Sequence, residues 1–231
     1  MLKDDTDVVI VVDLQADFTE LHNGALAVPD TGQDYVRDVI ERTREFKREG
    51  IPVVATRDWH PADHVSFFTG HPGAKPFDVV RVGEVDQTLW PPHCVRGTPG
   101  AEILIPPDLI TEIISTGSRR EYDSYSGFRD DGGADTGLRA TLEKLGGKKL
   151  MLYGLATDYC VRATVIHALE EGFEVTLDLG LSRGITSEST KEAVDQMKRV
   201  GAVIVDRSAD SSSGEYRCIP LAPPRRKKSP E

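Results

Sequence analysis

Apolar positions along the chain follow two periods. Val8–Val9–Ile10–Val11–Val12 is an unbroken apolar, β-branched run, which predicts a strand buried on both faces of a parallel sheet. From Gln33 to Glu49 the spacing changes: Val36, Val39, Ile40, Thr43 and Phe46 recur every three or four residues, which predicts an amphipathic helix stopped by Gly50. Pro52–Thr56 and Ile110–Ser115 predict further short strands, and Thr136–Leu145 predicts a helix ended by Gly146–Gly147. Leu150–Leu155 is the next apolar run, and a helix is expected over 160–171, with Val161, Thr164, Val165, Ala168 and Leu169 on one face and Gly172 as its C-terminal stop. A strand at Phe173–Leu177, a helix at Ser189–Val200 and a strand at Ala202–Val205 complete the pattern. Strands alternating with helices predict an α/β fold with a mainly parallel sheet and right-handed crossovers.

Two stretches break the periodicity. Residues 61–107 and 117–133 are rich in proline and glycine and predict long loops, which in a compact domain usually carry function. No internal repeat is present. From Ser208 to Glu231 the pattern fades, so the chain divides into a domain over 1–207 and a weakly structured extension over 208–231. The extension ends in Pro223–Pro224–Arg225–Arg226–Lys227–Lys228–Ser229–Pro230, a basic tail expected to be solvated; a nuclear-targeting or docking signal is the sharper alternative.

Composition narrows the function classes. The 231 residues are 39% hydrophobic and 29% charged, ordinary for a globular chain with a sizeable core. The net charge of −10 disfavours nucleic acid and anionic membrane surfaces as partners. No apolar run approaches the about 20 residues a bilayer span needs, and the acidic first residues lack a signal peptide's apolar stretch. Three cysteines, an odd number without framework spacing, point to a reducing compartment. The expected setting is intracellular and cytoplasmic.

Chemistry concentrates where strands end. Cys160 follows the Leu150–Leu155 run at the start of a helical pattern, on the carboxyl edge where open α/β sheets bind ligands. A helix N-terminus lowers a thiol's pKa towards the nucleophilic thiolate; a buried structural thiol is the competing reading. Asp13 directly follows the first strand and reaches the same edge, either as a proton acceptor for the thiol or as an acid that satisfies turn donors. Asp58 and His60 are spaced i, i+2, so on an extended segment they point the same way. With His93, and His64 as a fourth, they suit one divalent ion: zinc, or iron or manganese. A hydrogen-bonded Asp–His pair is the alternative. His22 and His167 are further histidines a thiol could use, although His167 lies two turns along the helix and reads as a helix-face residue. Cys94 and Cys218 read as structural or incidental thiols.

Five segments together resemble the nicotinamidase branch of the isochorismatase-like cysteine hydrolase family: Asp13–Leu14–Gln15–Ala16–Asp17–Phe18, Asp58 to Phe67, Leu89 to Thr98 with its Trp90–Pro91–Pro92–His93–Cys94 core, Asp123 to Phe128, and Gly154 to Val161. They occur in family order over about residues 7–206. The resemblance implies a three-layer α/β/α fold and hydrolysis of a small aromatic amide, in the salvage of pyridine nucleotides. It implies Cys160 as nucleophile and Asp13 as acid/base, with the backbone N–H groups of Ala156 and Cys160 forming an oxyanion hole next to a cis Leu155–Ala156 peptide. Asp58, His60 and His93, with His64, would hold a metal that binds the pyridine nitrogen, and Phe18, Trp90, Tyr125 and Tyr159 would wall the ring. The partner expected is a small-molecule amide, and a homo-oligomer is common in the family. One position departs from the pattern. Where the family has a catalytic lysine followed by glycine, this chain has Thr116–Gly117, and it has no lysine between Lys75 and Lys144. Arg119 or Arg120 could supply charge but cannot shuttle a proton. A different small amide substrate, or a ligand-binding relative with weak catalysis, are the readings this substitution leaves open.

Overall fold

A computed structural model describes residues 5–83, 85–206 and 217–218. The apolar runs become strands β1 (Val8–Val12), β2 (Val53–Asp58), β5 (Glu112–Thr116), β6 (Lys149–Leu155), β7 (Glu174–Arg183) and β8 (Val203–Asp206). They form one sheet in the order β5-β2-β1-β6-β7-β8, all parallel, with the two-residue β9 (Arg217–Cys218) pairing antiparallel to β8 at the edge. The helical patterns become α1 (Gln33–Arg48), α2 (Leu138–Lys144), α3 (Arg162–Glu170) and α4 (Ser187–Arg199).

The continuous apolar strands are explained by two cores, one on each face. Val8, Ile10, Val12, Leu150 and Leu152 face α2, α3 and α4, whereas Val9, Val11, Met151 and Tyr153 face α1. Side chains alternate across a strand, so a central strand covered by helices on both sides has no polar positions to show. The result is the three-layer α/β/α arrangement. The Tyr153 hydroxyl, carried into the second core, is paired with Thr43 Oγ1 of α1 at 2.9 Å, as a buried hydroxyl must be.

Three departures from the sequence pattern bear on function. Strands β3 (Val79–Val82) and β4 (Val85–Thr88) form an antiparallel hairpin inside the region expected to be loop. Its only buried position is the polar Gln87, so no alternating apolar signal marks it. Strand β7 runs six residues beyond the expected Leu177. Cys160 does not open a regular helix. It sits in a π-helical turn, Thr157–Val161, ahead of α3, in which both Tyr159 N–H and Val161 N–H donate to Ala156 O, at 3.0 and 3.1 Å. The peptide between Leu155 and Ala156 is cis. The basic tail and the rest of the extension, β9 apart, lie outside the described residues, as does the side chain of Cys218. Among the described residues no helix is long and apolar enough to cross a membrane.

Candidate active site

The strand order brings the chemistry together. β5, β2, β1 and β6 are neighbours, and each ends in or feeds a polar residue: Thr116 closes β5, Asp58 closes β2, Asp13 follows β1 and Cys160 follows β6. Parallel pairing aligns these carboxyl ends, and Asp58 lies in register with Thr116. Asp13 takes a left-handed backbone conformation (φ 46°). Its N–H donates to Thr56 Oγ1 (3.2 Å), and that hydroxyl donates back to Asp13 Oδ1 (2.6 Å). Gln15, wholly buried, donates from Nε2 to Asp58 O (2.8 Å) and Ala101 O (3.0 Å) and accepts from Asp58 N–H (2.8 Å). The ends of β1 and β2 are thereby clamped to each other.

Cys160 and the Asp13 carboxyl are both buried, and the charge of Asp13 acts on the thiol. Burial, and then the negative charge of Asp58, raise the Asp13 pKa to about 7, against the opposing hydrogen bond from Thr56. The thiol is pushed well above its ordinary range by burial and by the charges of Asp13 and Asp58. This corrects the expectation that the helix terminus would leave a thiolate: desolvation and two carboxylates outweigh a partial dipole charge. With the thiol raised and the carboxyl near neutrality, Asp13 is suited to take the Cys160 proton.

Beside this pair, His60 Nδ1 faces Gly117 O at 3.0 Å and His93 Nδ1 faces Pro91 O at 2.8 Å. A carbonyl only accepts, so both rings donate from Nδ1 and turn Nε2 towards Asp58. Those Nε2 atoms lie 3.4 and 3.7 Å from Asp58 Oδ2. Gly117 is required here, since a Cβ at that position would stand 2.2 Å from His60 Cε1. Burial alone would raise the Asp58 pKa, but the charge and hydrogen bonds of His60 and His93 more than offset it and hold the carboxyl below its usual range. Two oriented imidazoles and an ionised carboxylate, all buried with donor atoms within 4.8 Å of one another, fit a divalent metal ion. His64 stands apart from this trio. Its Nδ1 is paired with Ser66 Oγ (2.7 Å) and its Nε2 with Tyr122 O (3.1 Å), and it groups instead with His60 and Asp123.

The cavity above Cys160 has about 60 Å³ of free space, and Phe18, Trp90, Tyr125 and Tyr159 all line it with Asp58, His93 and Ala156. Trp90 Nε1 donates to Tyr125 Oη at 3.0 Å and the indole meets Tyr159 edge-on at 5.3 Å. Leu26, Val28, Asp123, Ser124 and Ile185 also line the cavity. Asp123 and Ser124 belong to a segment that carries the resemblance, but Leu26, Val28 and Ile185 stand in stretches without periodicity and gave no signal. Thr56 and Gln15 were likewise missed, because each reads as an ordinary strand or turn residue until the sheet places it.

Thr116 is buried, with Oγ1 2.9 Å from Asp58 Oδ1 and 3.1 Å from Arg57 O, two acceptors that share its one hydroxyl proton. It brings a hydroxyl, not a charge. Neither arginine replaces a lysine: Arg119 pairs with Asp130 at 3.0 Å and covers the Tyr122 ring, and Arg120 pairs with Asp63 at 2.6 Å in an exposed bridge. No lysine or arginine is among the described residues that line the cavity. His22 is exposed and His167 sits on α3 near Glu170, so neither is placed as a partner for the thiol.

Comparison with known proteins agrees with this geometry. Residues 7–209 match the family model described as the Isochorismatase domain. The chain is 36% identical over 202 residues to the nicotinamidase of Escherichia coli (strain K12), covering 85% of this chain and 92% of the relative. An Acinetobacter baumanii nicotinamidase/pyrazinamidase structure superposes with a TM-score of 0.81 at 32% identity, over 90% of this chain and 99% of that one. The pyrazinamidase of Pyrococcus horikoshii, solved in complex with zinc, gives 0.71 at 40% identity, over 86% and 98%. The chain belongs to the isochorismatase-like hydrolase family.

Proposed function

We propose that this chain is a nicotinamidase, which converts nicotinamide to nicotinate and ammonia and so serves the salvage of pyridine nucleotides. One observation carries the reading: a buried Cys160, coupled to the buried Asp13, opens into an aromatic-walled cavity beside the Asp58, His60 and His93 cluster. A flat, neutral aromatic amide suits walls of Phe18, Trp90, Tyr125 and Tyr159. Cys160 Sγ attacks the amide carbon while Asp13 takes the thiol proton. The N–H groups of Ala156 and Cys160 stabilise the oxyanion. Asp13 then gives the proton to the departing nitrogen, which leaves as ammonia, and a Cys160 thioester remains. Asp13, ionised again, draws a proton from water, and the hydroxyl that attacks the thioester releases nicotinate and the thiol. A divalent ion held by Asp58, His60 and His93, zinc by the chemistry of the donors and by the zinc-bound relative, would supply a Lewis-acid contact for the ring nitrogen.

Thr116 supports a second reading, a relative slow on nicotinamide or suited to another small amide. The test is ammonia release from nicotinamide by zinc-loaded protein, with Thr116→Lys measured alongside. Turnover by the wild type is expected. Release only by Thr116→Lys would favour the second reading, and release by neither would refute nicotinamide as substrate.

A further inference from the structure

The segment after β7 returns over the nucleophile turn. Its Ile185 lines the cavity with Tyr159 and Cys160 and is 40% exposed, which places it at the rim. Ile185 N–H lies 3.2 Å from both carboxylate oxygens of Asp158. Asp158 belongs to the same turn as Cys160, two residues before it, and is 3% exposed. Its Oδ2 also accepts from Ser189 Oγ at 2.5 Å. Ser189 lies in the first turn of α4, where its N–H is capped by Thr186 Oγ1 at 3.1 Å. A single buried carboxylate thus collects three elements: the nucleophile turn, the cavity rim and the start of α4. The fit is close. A Cβ on Gly184 would stand 1.9 Å from Thr190 Oγ1 and 3.2 Å from Asp158 Oδ1, so the segment passes directly against the carboxylate and its donors.

We propose that Asp158 is a positioning residue for substrate recognition: it holds Ile185 against the nucleophile turn and so sets the width of the cavity mouth. The reaction has no use for its charge, because Cys160 already has Asp13. Ionised, Asp158 is an acceptor-only group, which matches the amide and hydroxyl donors that face it. The inference rests on the amide-hydrolase reading only for its kinetic readout.

The experiment is a double-mutant cycle on the full chain, with Asp158→Asn, Ile185→Ala and the pair together, and Ser189→Ala as a milder variant. Asn keeps the shape but turns an N–H₂ towards one of the donors. Asp158→Asn is expected to raise KM for nicotinamide about tenfold, as loss of one charge-assisted hydrogen bond does, with kcat little changed. Ser189→Ala is expected to move KM the same way by less. In the Ile185→Ala background Asp158→Asn should add nothing further, since the side chain it positions is gone. A fall in kcat at unchanged KM, or effects that multiply in the double variant, would overturn the proposal. A second readout does not depend on nicotinamide: the ratio of Cys160 alkylation by N-phenylmaleimide to that by iodoacetamide, mapped by mass spectrometry. A wider mouth raises this ratio in Asp158→Asn, and an unchanged ratio overturns the inference. Absence of wild-type nicotinamide turnover with a raised ratio would sink the functional reading and leave this one standing.

Discussion

Replacing Thr56 by valine tests the base directly. The hydroxyl is buried and its hydrogen bond to Asp13 Oδ1, 2.6 Å long, holds the carboxyl's pKa down against burial and Asp58. Valine keeps the shape and the strand preference but removes the donor. A hydrogen bond to a charged group contributes about 1.5–3 kcal/mol, and one pKa unit is about 1.4 kcal/mol, so the Asp13 pKa should rise by about 1–2 units. The direction for activity follows from the role. Asp13 acts as the base in its ionised form, so kcat/KM climbs with pH through its pKa, and raising that pKa moves the acid limb to higher pH. Well below the pKa, the ionised fraction falls by the full shift, about 10- to 100-fold for 1–2 units, and kcat/KM with it. Bound metal would offset the Asp58 charge and lower the limb in both proteins, so the displacement between them is the quantity to measure. The assay is ammonia release from nicotinamide across pH 5–10 with metal-loaded protein. An acid limb that stays in place while stability drops would refute Asp13 as the base, since Thr56 would then only satisfy the Asp13 N–H.

Further outcomes follow from the same geometry. Cys160→Ala should abolish amide turnover by several orders of magnitude while zinc content stays at one per chain by elemental analysis; retained turnover would remove the thiol from the mechanism. His93→Ala should bring zinc below one per chain after loading, because one of three convergent donors is lost; full stoichiometry would count against the trio. Leu152→Ala, at a fully buried central-strand position, should cost about 2–5 kcal/mol in urea unfolding, and a loss below about 1 kcal/mol would mean that the core relaxes around the gap.

The central elements were legible because their signals are local. A β-branched run such as Val8–Val12 has no polar position to spare when both faces are covered, and the three-and-four spacing from Val36 to Phe46 belongs to a single helix face. The β3–β4 hairpin was not legible, since its four-residue strands bury only the polar Gln87 and carry no apolar alternation. Neither was the π-helical turn at Cys160, because a one-residue widening of a helix leaves the apolar spacing almost unchanged. Asp13, Asp58, His60, His93 and Cys160 could be named from residue type and strand ends, and the aromatic walls from the motifs that carry the resemblance.

What the chain alone determined was therefore the α/β alternation, the edge at which chemistry gathers, the residue types gathered there and the absence of a lysine at Thr116. What only the tertiary structure decided was how those groups feel one another. Burial and two carboxylates raise the thiol that a helix terminus was expected to lower. Arg119 and Arg120 are drawn to Asp130 and Asp63, away from the nucleophile. Thr56 meets Asp13 across 43 residues of sequence, and Asp158 meets Ile185 across 27. Desolvation and hydrogen bonding act over a few ångströms of space, and separation along the chain does not encode that distance until the sheet order sets which strand ends are neighbours.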